Sequence, residues 1–390
     1  MTMGTVIVLG YRKGIDDALR RRGLDTFHVV EKYKEALHGR AFRRVADLED
    51  AQEVLRAVIG ADVPDVVGVA TGHEQGVFTS ALLRTHLALP GDRDYGRALR
   101  FRDKFLQKAA LPGEVARADC VYVTPEASYT ALVSDLGTPF VVKPANGFGA
   151  ARTTAVHSAQ QFARIMDDAR NRSDVACVAE SFVHGQEIHI DGVRWGGQVL
   201  WSSVAQYHEP PMKWNEGSIL ASQILSPEQN PELVPKAQRL SEEVLAALDA
   251  PNCVFHLEAF RDGEKLVFSE CATRISGAHL PEIVELTHGV NLYDAVVSLA
   301  LGEDPSATLT PKDPERFFAY IYLRRFEGAE LAQADFEKRF PFHEINYPHD
   351  GTARTGAYGR VGHAIVSAPT NAELRELITE IVMFNERGRD

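Results

Sequence analysis

The chain has 390 residues, 45% hydrophobic and 25% charged, a balance that suits a folded enzyme with two or three domains around substantial cores. Its formal net charge of −12 argues against nonspecific nucleic-acid binding, while a local basic cleft could still hold nucleotide phosphates. Cys120, Cys177, Cys253 and Cys271 show no C-x-x-C spacing, residues 1–14 hold only a short apolar strand rather than a signal peptide, and no run approaches the roughly 20 apolar residues of a membrane helix. The expectation is a cytoplasmic protein with reduced thiols, no membrane and no nucleic-acid partner.

In chain order, residues 5–10 read as a buried strand, 15–22 as a helix, 26–30 as a second strand, and 65–70 repeat the buried-strand pattern. Such alternation implies a parallel sheet with ligand groups at the strand ends. Gly10-x-x-x-Gly14 is not G-x-G-x-x-G, which excludes a dinucleotide fingerprint. Residues 71–87 lead into a helix whose Glu74 reads either as a substrate-side or interdomain contact or as a helix-start carboxylate. Residues 97–110 read as one helix carrying Lys104, with Lys108 four residues on and able to share its face.

Residues 139–157 read as strand, glycine loop, strand, with Lys143 at the end of the first strand. Gly147 and Gly149, flanking Phe148, let backbone N–H groups turn toward an anion, although a glycine-rich hairpin with a surface lysine fits the same letters. The segment lacks G-x-x-x-x-G-K-[ST] and is followed by an extended segment, so it is not a P-loop. Residues 177–192 then present Glu180 and Glu187 across a short break, acceptors that suit an amino group and ribose hydroxyls. Residues 207–217, with Lys213 and Trp214, form a polar loop that could line a pocket or lie in solvent.

Residues 253–260 and 266–274 read as a β-hairpin carrying Glu258, Glu270 and Arg274. Glu258, Glu270, Ala272 and Arg274 share parity, so an odd-length loop centred near Glu264 puts the glutamates opposite each other on one face. A tight two-residue turn would put them on opposite faces. Carboxylates on a half-buried sheet repel unless a cation separates them, and oxygen ligands suit a hard ion such as Mg²⁺. His256 and Glu258 share a strand face, but no zinc-ligand spacing occurs. His279 and His288 read as polar helix residues or substrate contacts. Beyond residue 305 lie strands near 317–323 and 359–366 and an amphipathic helix at 371–383, which together suggest an α+β subdomain.

Taken in order, these pieces resemble the ATP-grasp superfamily over roughly residues 60 to 300. Arg102-Asp103-Lys104 is similar to its phosphate-contacting lysine helix. Val142-Lys143-Pro144 with Gly147, Phe148 and Gly149 is similar to its mobile glycine loop. Glu180, Phe182, Val183 and Glu187 resemble the hinge that holds adenine and ribose, and Glu258, Glu270 and Arg274 resemble its metal and phosphate strands. Ala272 departs from the asparagine that the family often places there, which removes one oxygen for a second metal. Residues 270–277 look like the branch containing bacterial L-amino acid ligases.

The resemblance implies an α/β and α+β multidomain ATP-grasp fold, divided as a 1–95 N-terminal α/β domain, a 96–180 linker helix and small lobe, a 181–305 large lobe and a 306–390 C-terminal subdomain. It implies ATP and Mg²⁺ (or Mn²⁺) as cofactors, and small-molecule carboxylate and amine partners, with amino acids among the candidates; a homodimer is compatible with it. Lys104 and Lys143 would hold α/β-phosphate oxygens, Glu258 and Glu270 the metal, and Arg274 the transferring phosphoryl group. Glu74, Lys213, Trp214, Ser276, Gly277 and His279 are the candidate substrate contacts. The implied reaction is amide formation through an acyl phosphate, with a bicarbonate-activating carboxylase or a weakly active regulatory nucleotide-binding module as alternatives.

Overall fold

The computed structural model describes residues 4–124, 126–171, 176–326, 331–348 and 359–387. Four N-terminal strands, β1 (Thr5–Leu9), β2 (Asp25–Val30), β3 (Ala41–Arg44) and β4 (Val66–Thr71), pair in parallel in the order β3-β2-β1-β4. Helices α1 (Lys13–Arg21), α2 (Ala51–Ile59) and α3 (Gly76–His86) cross between them or follow the last strand. The apolar run of β1 is buried throughout, as a parallel strand covered on both faces requires. Ile7, Phe27, Val54 and Leu83 fill one side of the sheet, while Val6, Val8, Ile15 and Leu19 face a second, larger core shared with later parts of the chain.

The segment expected as one helix over 97–110 is two: α4 (Tyr95–Arg100) and α5 (Lys104–Ala110). Asp103 causes the break. Its carboxylate accepts from the Phe105 and Leu106 amides at 2.9 and 3.0 Å, an N-cap that restarts the helix. Lys104 therefore stands at the first helical position, and its own amide donates to the Ala145 carbonyl at 3.0 Å, beside the glycine loop.

Next comes a small antiparallel lobe of β5 (Cys120–Val123), β6 (Phe140–Pro144), β7 (Thr154–Val156) and β8 (Cys177–Ser181), in the order β5-β8-β6-β7. It is backed by α6 (Tyr129–Leu136) and α7 (Ala159–Asn171) around Leu132, Phe140, Val142, Phe162 and Met166.

The large sheet has eight antiparallel strands. Its first five are β9 (Gln186–Trp195), β10 (Gln198–Tyr207), β11 (Ala221–Ile224), β12 (Cys253–Asp262) and β13 (Lys265–Ala272), with α8 (Leu233–Ala247), α9 (Leu280–His288) and α10 (Leu292–Ala300) around them. The C-terminal strands β14 (Phe317–Leu323), β15 (Glu344–Asn346) and β16 (Gly362–Ala368), with α11 (Gln333–Glu337) and α12 (Asn371–Arg387), continue the same sheet, in the order β13-β12-β9-β10-β11-β14-β16-β15. The expected separate subdomain at 306–390 is thus fused to the large lobe through β11 and β14, where Ala221 faces Ile321. The run Phe317-Phe318-Ala319-Tyr320-Ile321-Tyr322-Leu323 is buried on both faces, with α9 and α12 packed against it.

Asn371 locks this junction. Its Oδ1 accepts from the Ser226 amide at 2.7 Å and from Asn230 Nδ2 at 3.0 Å, and its Nδ2 donates to the Ile224 carbonyl at 2.7 Å. The residue is only 4% exposed. Asn371→Ala strands a buried amide and a buried carbonyl and should lower unfolding free energy by about 2–4 kcal/mol in urea melts. A change below about 0.5 kcal/mol, the range of an ordinary surface substitution, would contradict this role.

Candidate functional site

A cleft of about 280 Å³ opens between the small lobe and the large sheet, lined by Lys104, Lys143, Glu187, Glu258, Glu270 and Arg274 among others. The β12–β13 hairpin sets its floor. Asp262 pairs with Lys265, so Gly263 and Glu264 form a tight two-residue turn, with Gly263 at φ +59° as the first position of such a turn favours. That turn alone would send the two glutamates to opposite faces. The strands instead slip by one residue, since Glu258 faces Glu270 while Ala259 faces Phe268. Ser269 is the extra residue of this β-bulge, and the bulge returns Glu270 to the face of Glu258. The Ser269 carbonyl accepts the Lys108 ammonium at 2.6 Å.

Three lysines and two glutamates form the charge centre. Glu180 takes Lys108 at 2.8 Å on one oxygen and Lys143 at 2.9 Å on the other. Lys104 Nζ reaches Glu270 at 2.8 Å and donates to the Gly147 carbonyl at 2.6 Å. Burial works against each charge, and the partners offset it. Burial would raise Glu180 and Glu270, but the lysines hold both carboxyls below their ordinary value. Burial would lower Lys143, but Glu180 and Glu270 raise it. Lys108 is lowered by burial, with Glu180 only partly compensating. The carboxylate between the two lysines is held ionised, so the cluster is charge-separated. Glu187 differs: burial, then Glu258 and Glu270, push its carboxyl well above the ordinary range. A cation near Glu258 and Glu270 would offset the part of this shift that their charges cause.

Arg274 leaves β13 and pairs with Glu74, which also takes Arg102 at 3.0 Å; Arg102 pairs in addition with Glu49. Burial works against the Arg274 charge, and Glu74 raises it. Above the charge centre, the glycine loop carries Gly149, Ala150 and Arg152 at φ +61°, +52° and +58°, a left-handed stretch in which glycine is the comfortable residue. Asn215 Nδ2 donates to the Ala150 carbonyl at 3.3 Å, tying this loop to the 207–217 loop, and Phe148 stands 45% exposed at its tip.

Among the sequence candidates, Lys104, Lys143, Gly147, Phe148, Gly149, Glu180, Phe182, Val183, Glu187, Lys213, Glu258, Glu270, Arg274 and Gly277 all line this cleft. Glu74 lies behind it as the buried partner of Arg274. Trp214 and Ser276 are outside the lining; the Trp214 carbonyl accepts from Arg324 at 3.2 Å, and Ser276 is fully buried. His279 also stands off the cleft, stacked on His363 with ring centroids 4.0 Å apart. Glu180, expected as an adenine or ribose acceptor, has both oxygens occupied by lysines.

Sequence reasoning missed two features. Lys108, whose sequence position says only that it can share a face with Lys104, is buried and anchors Glu180. The other is a polar chain behind Glu258. Ser222 meets His189 at 2.9 Å; His189 and His256 take the two Asp191 oxygens at 2.7 and 3.0 Å; His256 reaches Glu258 at 3.2 Å; and the Tyr207 hydroxyl donates to Glu258 at 3.0 Å. The ligand atoms of His189, Asp191 and His256 lie within 4.8 Å of one another, close enough for a metal, but each imidazole already has its carboxylate oxygen, so hydrogen bonding accounts for the cluster. The available signal was strand parity: His189 with Asp191, and His256 with Glu258.

Glu180→Gln leaves two buried ammonium groups around a neutral amide and should cost about 3–5 kcal/mol of stability in urea melts at neutral pH. The lysines lower the Glu180 carboxyl from 4.5, so its contribution is present above that pH and fades as pH falls through the native value. The gap between wild type and variant should therefore narrow on acidification. A gap that is absent at neutral pH, or that widens in acid, would contradict the pairing.

Residues 108–279 match the ATP-grasp domain family. The L-arginine-specific L-amino acid ligase of Bacillus subtilis is 27% identical over 246 residues, spanning 61% of this chain and only 58% of that enzyme. The crystal structure of L-amino acid ligase from Bacillus licheniformis superposes with a TM-score of 0.74 at 17% identity, covering 99% of this chain and 98% of that one. Carboxyaminoimidazole ribonucleotide synthase from Aspergillus clavatus, complexed with ATP, gives 0.74 at 16% identity over 98% and 99%. Phosphoribosylglycinamide synthetase from Anaerococcus prevotii gives 0.70 at 16% identity over 98% of each chain. With the matched domain spanning the glycine loop, the hinge and the glutamate hairpin, the chain has the ATP-grasp fold and carries an ATP-grasp domain.

Proposed function

We propose that this chain is an ATP-dependent carboxylate–amine ligase that forms an amide through an acyl phosphate, releasing ADP and phosphate. The observation that carries the reading is the convergence of Lys104, Lys143, Glu258, Glu270 and Arg274 on one cleft beneath a glycine loop. The ligase relative from B. subtilis supports it.

The nucleotide would lie along the cleft, its base against the 181–183 segment and the ribose near Glu187. With the Glu180 carboxylate bound by lysines, the backbone of that segment is the better partner for the base. Lys104 and Lys143 would take phosphate oxygens in exchange for Glu270 and Glu180. Glu258 and Glu270 offer opposed carboxylate oxygens with no thiolate between them, a donor set that fits Mg²⁺, while Ala272 supplies no further oxygen. A bound Mg²⁺ would neutralise charge on the β- and γ-phosphates.

A substrate carboxylate oxygen attacks the γ-phosphorus, the bond to the ADP oxygen breaks, and an acyl phosphate forms. The amine nitrogen then attacks the acyl carbon, phosphate leaves, and the nitrogen loses a proton. Arg274, oriented by Glu74, is placed to hold the transferring phosphoryl group or the tetrahedral oxyanion. Closure of the glycine loop would keep water from the acyl phosphate. Free amino acids joined as a dipeptide are the substrates we favour, on the strength of the ligase relative.

Turnover should produce ADP and inorganic phosphate with an amide product identified by mass. AMP and pyrophosphate would reject the mechanism, a carboxylated product without an amide would favour bicarbonate activation, and nucleotide binding without turnover would favour a regulatory module. Lys143→Ala should reduce turnover by about 10²–10³ while the protein remains folded by circular dichroism. Unimpaired turnover in that variant would remove Lys143 from the site.

A further inference from the structure

The chain gathers cations from three separate regions beside the cleft. Arg12 leaves β1 and Lys34 follows β2, so both lie at the carboxyl ends of the parallel strands, where open α/β sheets bind ligands; His73 follows β4 there as well, but burial holds its imidazole down at about 4, so it is neutral. Arg360 joins them from just before β16. Arg12 donates to the Ser276 carbonyl and, at 3.1 Å, to the Tyr293 hydroxyl. Ser276 directly precedes Gly277 and Ala278, which line the cleft. The Arg360 guanidinium lies 4.5 Å over the Tyr322 ring, and Tyr322 packs 5.4 Å from Tyr320, another cleft residue. Lys34 and His73 both reach the Tyr11 carbonyl at 3.3 Å.

These cations lack acidic partners among the described residues. The partners of Arg12 are a carbonyl and a phenol, that of Lys34 is a carbonyl, and that of Arg360 is a ring face. Most neighbouring acids are engaged elsewhere: Asp16 by Arg20 and Arg40, Glu74 by Arg274 and Arg102, and Glu344 by His363. Glu282 takes the Tyr293 hydroxyl on one oxygen, and its other oxygen is buried without a partner among the described residues, so it is the one local carboxylate that a bound anion must tolerate. Burial, then Arg360 and Arg12, lower the Lys34 pKa, as expected where like charges gather without counterions.

A second observation points to the sign of the ligand. The nine-residue helix α1 begins here with Arg12 as its N-cap, and the cap side chain does not satisfy the first-turn amides. The Arg12–Ser276 bond ties this start to the segment that leads into α9. In that segment the Ser276 hydroxyl is buried without a hydrogen-bond partner among the described residues. An uncapped helix start, an unmatched hydroxyl and three cations without acidic partners among the described residues describe an anion site.

We propose that Arg12, Lys34 and Arg360, with the start of α1, bind an anionic group, carboxylate or phosphate, on the amine substrate. This rests on the ligase reading, which puts the phosphoryl group at Arg274 and leaves the opposite side of the acyl carbon for the attacking amine. The cation cluster meets the cleft through Ser276, which precedes the lining residue Gly277. An amine substrate with an acidic group would be anchored there while its nitrogen faces the acyl phosphate, and a neutral amine would lose the anchor.

The test uses the full-length protein and the variants Lys34→Gln and Arg360→Gln, both on side chains without ion-pair partners among the described residues. Calorimetric titration with inorganic phosphate and, separately, with succinate should detect binding that each variant weakens about tenfold or more, the loss of one charge-assisted contact. Tighter phosphate binding assigns a phosphorylated amine, and tighter succinate binding a carboxylated one. Equal binding in wild type and both variants, or no binding of either anion, would overturn the site. In turnover, KM should be lower for an amino acid or an amino phosphate than for the corresponding neutral amide or alcohol, and both variants should narrow the difference. Neutral amines used as well as acidic ones would overturn the inference and leave the ligase reading standing. Anion binding lost in the variants, with no ATP turnover on any amine, would support the anion site and reject the ligase reading.

Discussion

Everything in the cleft depends on how three buried lysines are paired. An ammonium taken out of water costs several kcal/mol unless a carboxylate meets it with good geometry. Glu180 meets Lys108 and Lys143, and Glu270 meets Lys104, at 2.8 to 2.9 Å. These pairs place cationic nitrogens at fixed points before any ligand arrives. The two glutamates nevertheless have different prospects. Glu270 also faces Glu258 and lies near Glu187, so a cation added there is welcome and can free Lys104 for an anion. Glu180 keeps Lys108 whatever happens to Lys143, because the Ser269 carbonyl holds Lys108 from its other side.

The backbone supplies the precision. Asp103 restarts a helix so that Lys104 stands at its first turn. The Ser269 bulge puts Glu270 across from Glu258 and turns a carbonyl toward Lys108 in the same move. Behind Glu258, the histidine–aspartate chain and the Tyr207 hydroxyl limit its rotamers, an arrangement in which outer partners orient an inner ligand. The fused eight-stranded sheet carries this floor on one long platform, while the small lobe brings the glycine loop from the other side.

Much of the site was legible because chemistry-bearing residues sit at strand ends and in glycine-rich turns, which sequence marks plainly. Lys143 before Gly147, and Glu258 and Glu270 among apolar neighbours, could be read in that way, and the ordered resemblance added Lys104. The hairpin shows the limit of such reading. Parity asked for an odd loop, the turn is even, and a bulge that no residue pattern announces restores the pairing. The helix break at Asp103 was written as an aspartate three residues before Leu106, yet the surrounding helical pattern masked it. Glu180's pairing with Lys108 joins residues far apart in sequence, which local pattern does not encode. The fusion of residues 306–390 to the large sheet escaped for the same reason: a strand buried on both faces shows that it is central, not which strand lies beside it. Ser276 and His279, expected as substrate contacts, lie outside the cleft lining, because the turn at Ala278, with φ +51°, leads the chain into α9.

The central claim is that the cleft's internal ion pairs exchange for nucleotide phosphates and a metal. A crystal structure of the full-length protein with a non-hydrolysable ATP analogue and Mg²⁺ tests it most directly. The account predicts phosphate oxygens on Lys104 and Lys143, the metal on Glu258 and Glu270, the Lys104–Glu270 bond opened, and the Lys108–Glu180 bond intact. A nucleotide seated elsewhere, or a metal held by His189, Asp191 and His256 while Lys104 stays on Glu270, would contradict it.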